Sequence, residues 1–280
     1  MLRKLIKYDL KATARTFTPV YLVVLALAAL TVVFNNLAKS IFTDDSLNLA
    51  VGFGILFTVL YGIAMLVLPF LTVIFCMRHF YDNLFKDEGY LMHTLPVTPA
   101  KLIWSKVITG SIWLLVTTVV AVISGGILLA GTNGVEVFNA GKIFTYLTGA
   151  SPQDIAENVL VTVLGIVVVL AQLVCFLLML YAALSIGSLV PKHHRGVTVL
   201  VIIGFFVAEA LLLFALGLGF ANAAENGLLD PLARTIGPML ENLWPAVWIT
   251  FGCIMAYLSV LCVLYFFITH FIMKRRLNLQ

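Results

Sequence analysis

Residues 51–77 read VGFGILFTVLYGIAMLVLPFLTVIFCM, twenty-seven consecutive positions without a charged side chain. As an α-helix this run is about 40 Å long, more than the roughly 30 Å of hydrocarbon in a bilayer. A helix on the surface of a soluble domain needs a polar face, and this one has none. Working outward, five more runs are long and apolar enough to span, 19–38, 104–130, 159–190, 197–220 and 245–273, with Lys106 and Glu209 the charged residues inside them. All six are expected to be helices, because a backbone in lipid must satisfy its own hydrogen bonds. The run 159–190 would span about 48 Å and must tilt, kink or project. The fold class is therefore an all-α polytopic membrane protein, a single transmembrane domain with six transmembrane helices.

Composition agrees. The chain has 280 residues, 62% of them hydrophobic and 11% charged, against about 45–50% and about 25% for soluble domains. Mean hydropathy is +1.08. Too few polar side chains exist to cover a water-facing surface, and disorder would require the opposite balance. The four cysteines, Cys76, Cys175, Cys253 and Cys262, all lie inside apolar runs. They read as small packing residues, not as a disulfide framework or a ligand set.

Charge orients the spans. Six crossings leave both termini on one side. With the N-terminus inside, that side holds Arg3, Lys4, Lys7, Lys11, Arg15, Arg78, Lys86, Lys101, Lys106, Lys192, Arg195, Lys274, Arg275 and Arg276. These are fourteen of the 17 basic residues. Lys39, Lys142 and Arg234 fall outside. The positive-inside rule then places both termini in the cytoplasm. The net charge of +4 reflects this topology and does not mark a nucleic-acid partner. Within residues 2–15, Arg3, Lys7, Lys11 and Arg15 recur every four positions opposite Leu2, Leu5, Ile6 and Leu10. Residues 1–16 are expected to form an interfacial elbow helix on the inner leaflet, although Asp9 falls within the apolar arc. The first apolar run is too long, and lacks the small-residue cleavage site, for a cleaved signal peptide.

Polar residues mark the places where function is expected. The inner connection 78–103 is not a plain linker, since it carries Phe80, Tyr81, Leu84, Phe85, Tyr90, Leu91, Met92 and Leu95. Thr98-Pro99 supplies a cap and a first-turn proline, so a helix should start there and continue into the third span. The second inner connection, 191–196, is short and contains His193 and His194. Two adjacent histidines on a turn are not a four-ligand metal site. Outside, Asp230-Pro231 repeats the cap pattern. Residues 221–244 are expected to hold a short re-entrant helix, 231–243, with Trp244 and Trp248 at the interface. Glu209 is the one acid deep in a span, about 18 Å from Val197. A carboxyl at that depth is costly and reads as functional. Three roles are open: proton carrier, substrate contact, or a neutral structural group bonded to a neighbouring helix. No phosphate loop, H-E-x-x-H or G-x-S-x-G occurs. No catalytic residue, metal site or cofactor is therefore expected on this chain.

The stretch Asp87-Glu88-Gly89-Tyr90-Leu91-Met92-His93-Thr94-Leu95-Pro96-Val97-Thr98-Pro99, followed by Lys101 and Ser105-Lys106, resembles the coupling-helix region of ABC-2 type transporter permeases. The opening LIKYDLKATAR, residues 5–15, is similar to the amphipathic start of Gram-positive bacterial members. The resemblance implies a type V exporter-like architecture in a bacterial plasma membrane. It also implies a permease without its own ATPase activity, paired with a second permease, as a homodimer by preference. Each permease would dock on a separate ABC ATPase subunit that binds the ATP and Mg. Asp87, Glu88, Gly89, Tyr90, Leu91, Met92 and Leu95 would be the coupling lever, with His193 and His194 a secondary contact. Substrate would pass between permeases along spans one, two and five, where Gly204 and Ala208 are spaced for close approach. Glu209 is the substrate-pathway candidate. The cargo expected from the size and style is an amphipathic, antimicrobial or toxin peptide, or a lipid-like molecule, as in phenol-soluble modulin exporters. Two other classes compete: a proton-coupled secondary transporter using Glu209, and a membrane scaffold.

Overall fold

The computed structural model describes residues 2–41, 49–85, 98–133, 155–190, 193–227 and 243–275. They form six helices: α1 (Leu2–Ile41), α2 (Leu49–Phe85), α3 (Pro99–Asn133), α4 (Ile155–Gly187), α5 (His194–Glu225) and α6 (Leu243–Arg275). All six are long and apolar enough to cross a membrane, and there is no strand among the described residues. By length and composition this is a multi-pass membrane protein. The chain divides into two compact units. The first comprises Met1–Phe80 with Trp104–Leu160, and the second Tyr81–Ile103 with Val161–Gln280.

Local signals set several helix ends. At the start of α3, the amide of Lys101 donates to the carbonyl of Thr98 at 2.9 Å, so the helix opens on Pro99, whose missing N–H costs nothing there. At the end of α4, the Thr198 side chain occupies the space where a Cβ on Gly187 would stand. Only glycine lets that helix end close onto the first turn of α5. α5 finishes at Glu225 and is followed by Gly227 at φ 67°, the left-handed residue that commonly stops a helix.

The N-terminal region departs from expectation. Residues 2–41 are one helix that runs through Pro19 without interruption, and no separate elbow helix over 1–16 exists. Pro19 removes the donor that would meet the Arg15 carbonyl, yet the helix carries on. Its buried stripe explains why. Phe17, Tyr21, Val24, Ala28 and Thr31 are all buried at alternating spacings of four and three, and Asp9, two turns earlier, continues the same stripe. Arg3, Lys4, Lys7, Lys11 and Arg15 are exposed. The segment is thus held through Asp9.

In the first unit, Phe17 stacks on Trp113 with ring centroids 4.5 Å apart and meets Phe75 edge-on at 5.6 Å. Further along the same helices, Phe34 stacks on Phe57 at 5.0 Å. In the second unit, every residue of α4 from 177 to 185 is buried, so this end of the helix is enclosed on all faces. α2 continues as helix to Phe85, which takes up the first eight residues of the expected coupling region. Residues 86–97, including Asp87, Glu88, Gly89, Tyr90, Leu91, Met92 and Leu95, lie outside the described residues, as do 228–242 and most of the expected re-entrant helix.

Candidate functional site

The first unit holds a buried charge cluster at the end of the helices that carries the N-terminus. Lys106, on the second turn of α3, is 2% exposed. Its Nζ donates to Asp9 Oδ1 of α1 at 2.6 Å and lies 3.3 Å from His79 Nε2 of α2. His79 Nε2 is itself 3.4 Å from Asp9 Oδ1. Asp9 Oδ2 is buried with no hydrogen-bond partner among the described residues. Sequence reading assigned Lys106 to the solvated inner charges and Asp9 to a flaw in an amphipathic helix. Together they tie three helices. The signal was available: Asp9 is eight residues from Phe17, so it falls on the face that Phe17, Tyr21 and Val24 bury.

Above this cluster, further polar contacts cross-link the same three helices. Trp113 Nε1 donates to Thr13 Oγ1 at 2.7 Å. The Thr117 hydroxyl is 2.8 Å from Tyr21 Oη and 3.0 Å from Thr72 Oγ1. Tyr61 Oη donates to Ser124 Oγ at 3.1 Å, and Asn35 Nδ2 to Thr58 Oγ1 at 3.2 Å. In α3 the buried positions Lys106, Thr109, Trp113, Thr117, Val120 and Ser124 recur at three- and four-residue intervals, which puts them on one face. Helices in lipid gain nothing by hiding apolar surface from each other. Small polar groups and close packing hold them together instead. This face is therefore structural, a brace of α1, α2 and α3.

In the second unit, His194 opens α5 with its ring parallel to that of Tyr81, at 5.3 Å and an interplanar angle of 5°. Tyr81 in turn stacks on Phe85, the last residue of α2, at 5.8 Å. His193 is exposed. The turn before α5 is thereby joined to the stretch of α2 that leads directly into residue 86. Sequence reading named both connections but did not connect them.

Glu209 sits at the middle of α5. Tyr265 of α6, 2% exposed, donates its hydroxyl to Glu209 Oε1 at 2.5 Å. Phe205, one turn before Glu209, meets the Tyr265 ring edge-on at 5.1 Å. Cys175 and Tyr257 are within electrostatic reach. Gly204 and Ala208 are exposed on α5, and a Cβ on Gly204 would meet nothing within 4 Å. No group of three or more histidine, cysteine or acidic side chains among the described residues could hold a metal ion.

No protein-family model, curated protein or solved structure matches this chain.

Proposed function

We propose that this chain is the membrane-embedded permease of an ATP-driven exporter of the ABC-2 type, coupled through residues 87–95 to a separate ATPase subunit. The observation that carries the reading is the Tyr81–His194 stack. The resemblance assigns the main coupling contact to the connection after α2 and the secondary contact to the turn before α5. A working lever needs those two contacts to move as one body. Two rings held parallel join the approach to the first connection with the start of the helix after the second. A push on residues 87–95 then reaches α5 directly, and α5 carries Glu209, the expected pathway residue.

The inward bias of basic residues supports cytoplasmic termini, and the resemblance supports a bacterial plasma-membrane location. A second copy of the chain would complete the pathway, and amphipathic peptides are the proposed cargo.

The test is co-purification of the full chain with an ABC ATPase, followed by hydrolysis measurements in vesicles. Glu88→Ala is expected to weaken assembly. Tyr81→Ala should leave assembly intact while lowering the stimulation of hydrolysis by cargo at least several-fold. Full coupling in both variants, or no associated ATPase at all, overturns the reading.

A further inference from the structure

Glu209 is fifteen residues from the start of α5 and sixteen from its end, about 22 to 24 Å from each, which is mid-membrane for a spanning helix. Oε1 is taken by the Tyr265 hydroxyl. That is the carboxyl's one hydrogen bond among the described residues, and Oε2 has none. The groups electrostatically coupled to it, Tyr257, Tyr265 and Cys175, are phenols and a thiol. They can orient the carboxyl, but none of them brings a positive charge to balance it.

The surroundings on α5 are equally specific. From Val199 to Ala223 no residue of this helix falls in the buried class. Glu209 is half-buried between Phe206, 50% exposed one turn before, and Leu213, 53% exposed one turn after. A carboxyl at this depth needs a proton or a positive charge. An ammonium or phosphonium on an apolar body would place its charge at Oε2 and its body against Phe206 and Leu213. The Phe206 ring face adds a cation–π attraction, which is strongest where water is excluded. A neutral or anionic molecule of the same shape gains none of the electrostatic part.

We propose that Glu209, oriented by Tyr265 and flanked by Phe206 and Leu213, is a binding site for lipophilic cations. The site favours cargo that presents a positive group on an apolar surface. The inference rests on the permease reading for the fate of the bound molecule, namely export. Binding itself belongs to this chain alone.

The experiment uses the full chain purified into phosphatidylcholine nanodiscs, without any ATPase. The probes are tetraphenylphosphonium and tetraphenylborate, which match in size and differ in charge. Saturable binding of the phosphonium and none of the borate is expected. Glu209→Gln should weaken phosphonium binding at least tenfold, and Glu209→Asp should restore it to within a few-fold of the unaltered chain. Equal binding by Glu209→Gln, or equal binding of the two ions, overturns the proposal. A second measurement needs no variant. Labelling of Glu209 by dicyclohexylcarbodiimide, mapped by mass spectrometry, should be slowed by the phosphonium and not by the borate. Identical labelling under both also overturns it. Because no ATPase is present, a chain that binds the cation but recruits no ATPase sinks the exporter reading and spares this one. The reverse result does the opposite.

Discussion

α3 and α5 have nearly the same length, 35 and 32 residues, and both read from the sequence as apolar spans. Inside the protein they differ sharply. α3 buries Ser105, Lys106, Thr109, Thr117 and Ser124 and is bonded through its side chains to α1 and α2. From Val199 to Ala223 no residue of α5 is buried. Along that part, among the described residues, a single side-chain hydrogen bond, from the Tyr265 hydroxyl to Glu209, links it to another helix. The difference shows what apolar content does and does not do in a membrane. It puts a helix into lipid, but it does not decide what the helix touches, since lipid tails are as good a neighbour as leucine. The choice of neighbour falls to a few polar and small residues at helical spacing. α3 has a full stripe of them, and α5 has one.

The sharpest way to break this contrast is to cut the brace where the charges are. Lys106→Met takes the 2.6 Å ammonium partner from buried Asp9, and Asp9→Leu takes the carboxylate from the buried Lys106 ammonium. Loss of one partner from a buried ion pair typically costs about 3–5 kcal/mol. Each single variant is therefore expected to lose stability on that scale, read from thermal or denaturant unfolding of the purified chain. The double variant Asp9→Leu with Lys106→Met should recover most of the loss, because two apolar side chains need no partner. Strictly additive losses across that cycle would mean that the two residues do not form one tie.

These two residues also show where sequence reading stops. The six helices were legible because each span needs only a long apolar run, and a run is a local property. The start of α3 at Pro99 was legible for the same reason. The continuity of α1 was not, because it depends on Asp9 meeting Lys106, 97 positions away. A hydropathy pattern treats both as solvated charges and pushes them out to the water. Glu209 was visible as a carboxyl at mid-span depth, but its partner Tyr265 is 56 positions on, one aromatic among many. The stack of His194 on Tyr81 likewise joins two connections that lie far apart in the chain. Depth can be counted along one helix, whereas partners need the packing.

A smaller effect sharpens the comparison within α3 itself. Thr117 is buried and serves Tyr21, Thr72 and the Trp113 carbonyl. Its neighbour Thr118 is exposed and bonds only to the Leu114 carbonyl of its own helix. Thr117→Val removes the hub and leaves the Tyr21 hydroxyl with only its longer, 3.4 Å bond to the Trp113 carbonyl among the described residues. A cost of about 1–2 kcal/mol is expected, at the upper end for interhelical hydrogen bonds in membranes. Thr118→Val should stay within about 0.5 kcal/mol of the unaltered chain, like most exposed substitutions. Equal effects at 117 and 118 would remove the argument that one face of α3 holds the unit together.

The smallest expected effect is on α5, and it tests the other half of the contrast. Leu211, Phe214 and Phe220 are 62%, 65% and 62% exposed. In water, such apolar surface would cost the fold and its removal would help. In lipid it costs nothing, because truncating the side chain only exchanges one hydrocarbon neighbour for another. Leu211→Ala, Phe214→Ala and Phe220→Ala are therefore expected to leave the unfolding midpoint of the single chain unchanged in detergent. By contrast Leu114→Ala, which empties a buried position on α3, should lower it clearly. If the α5 variants melt early as single chains, α5 is packed within the chain and the contrast with α3 fails. If they are silent as single chains yet dissociate an assembly of two copies, this stretch of α5 is an interface between copies. Its open surface is then the part of the fold that a second copy completes.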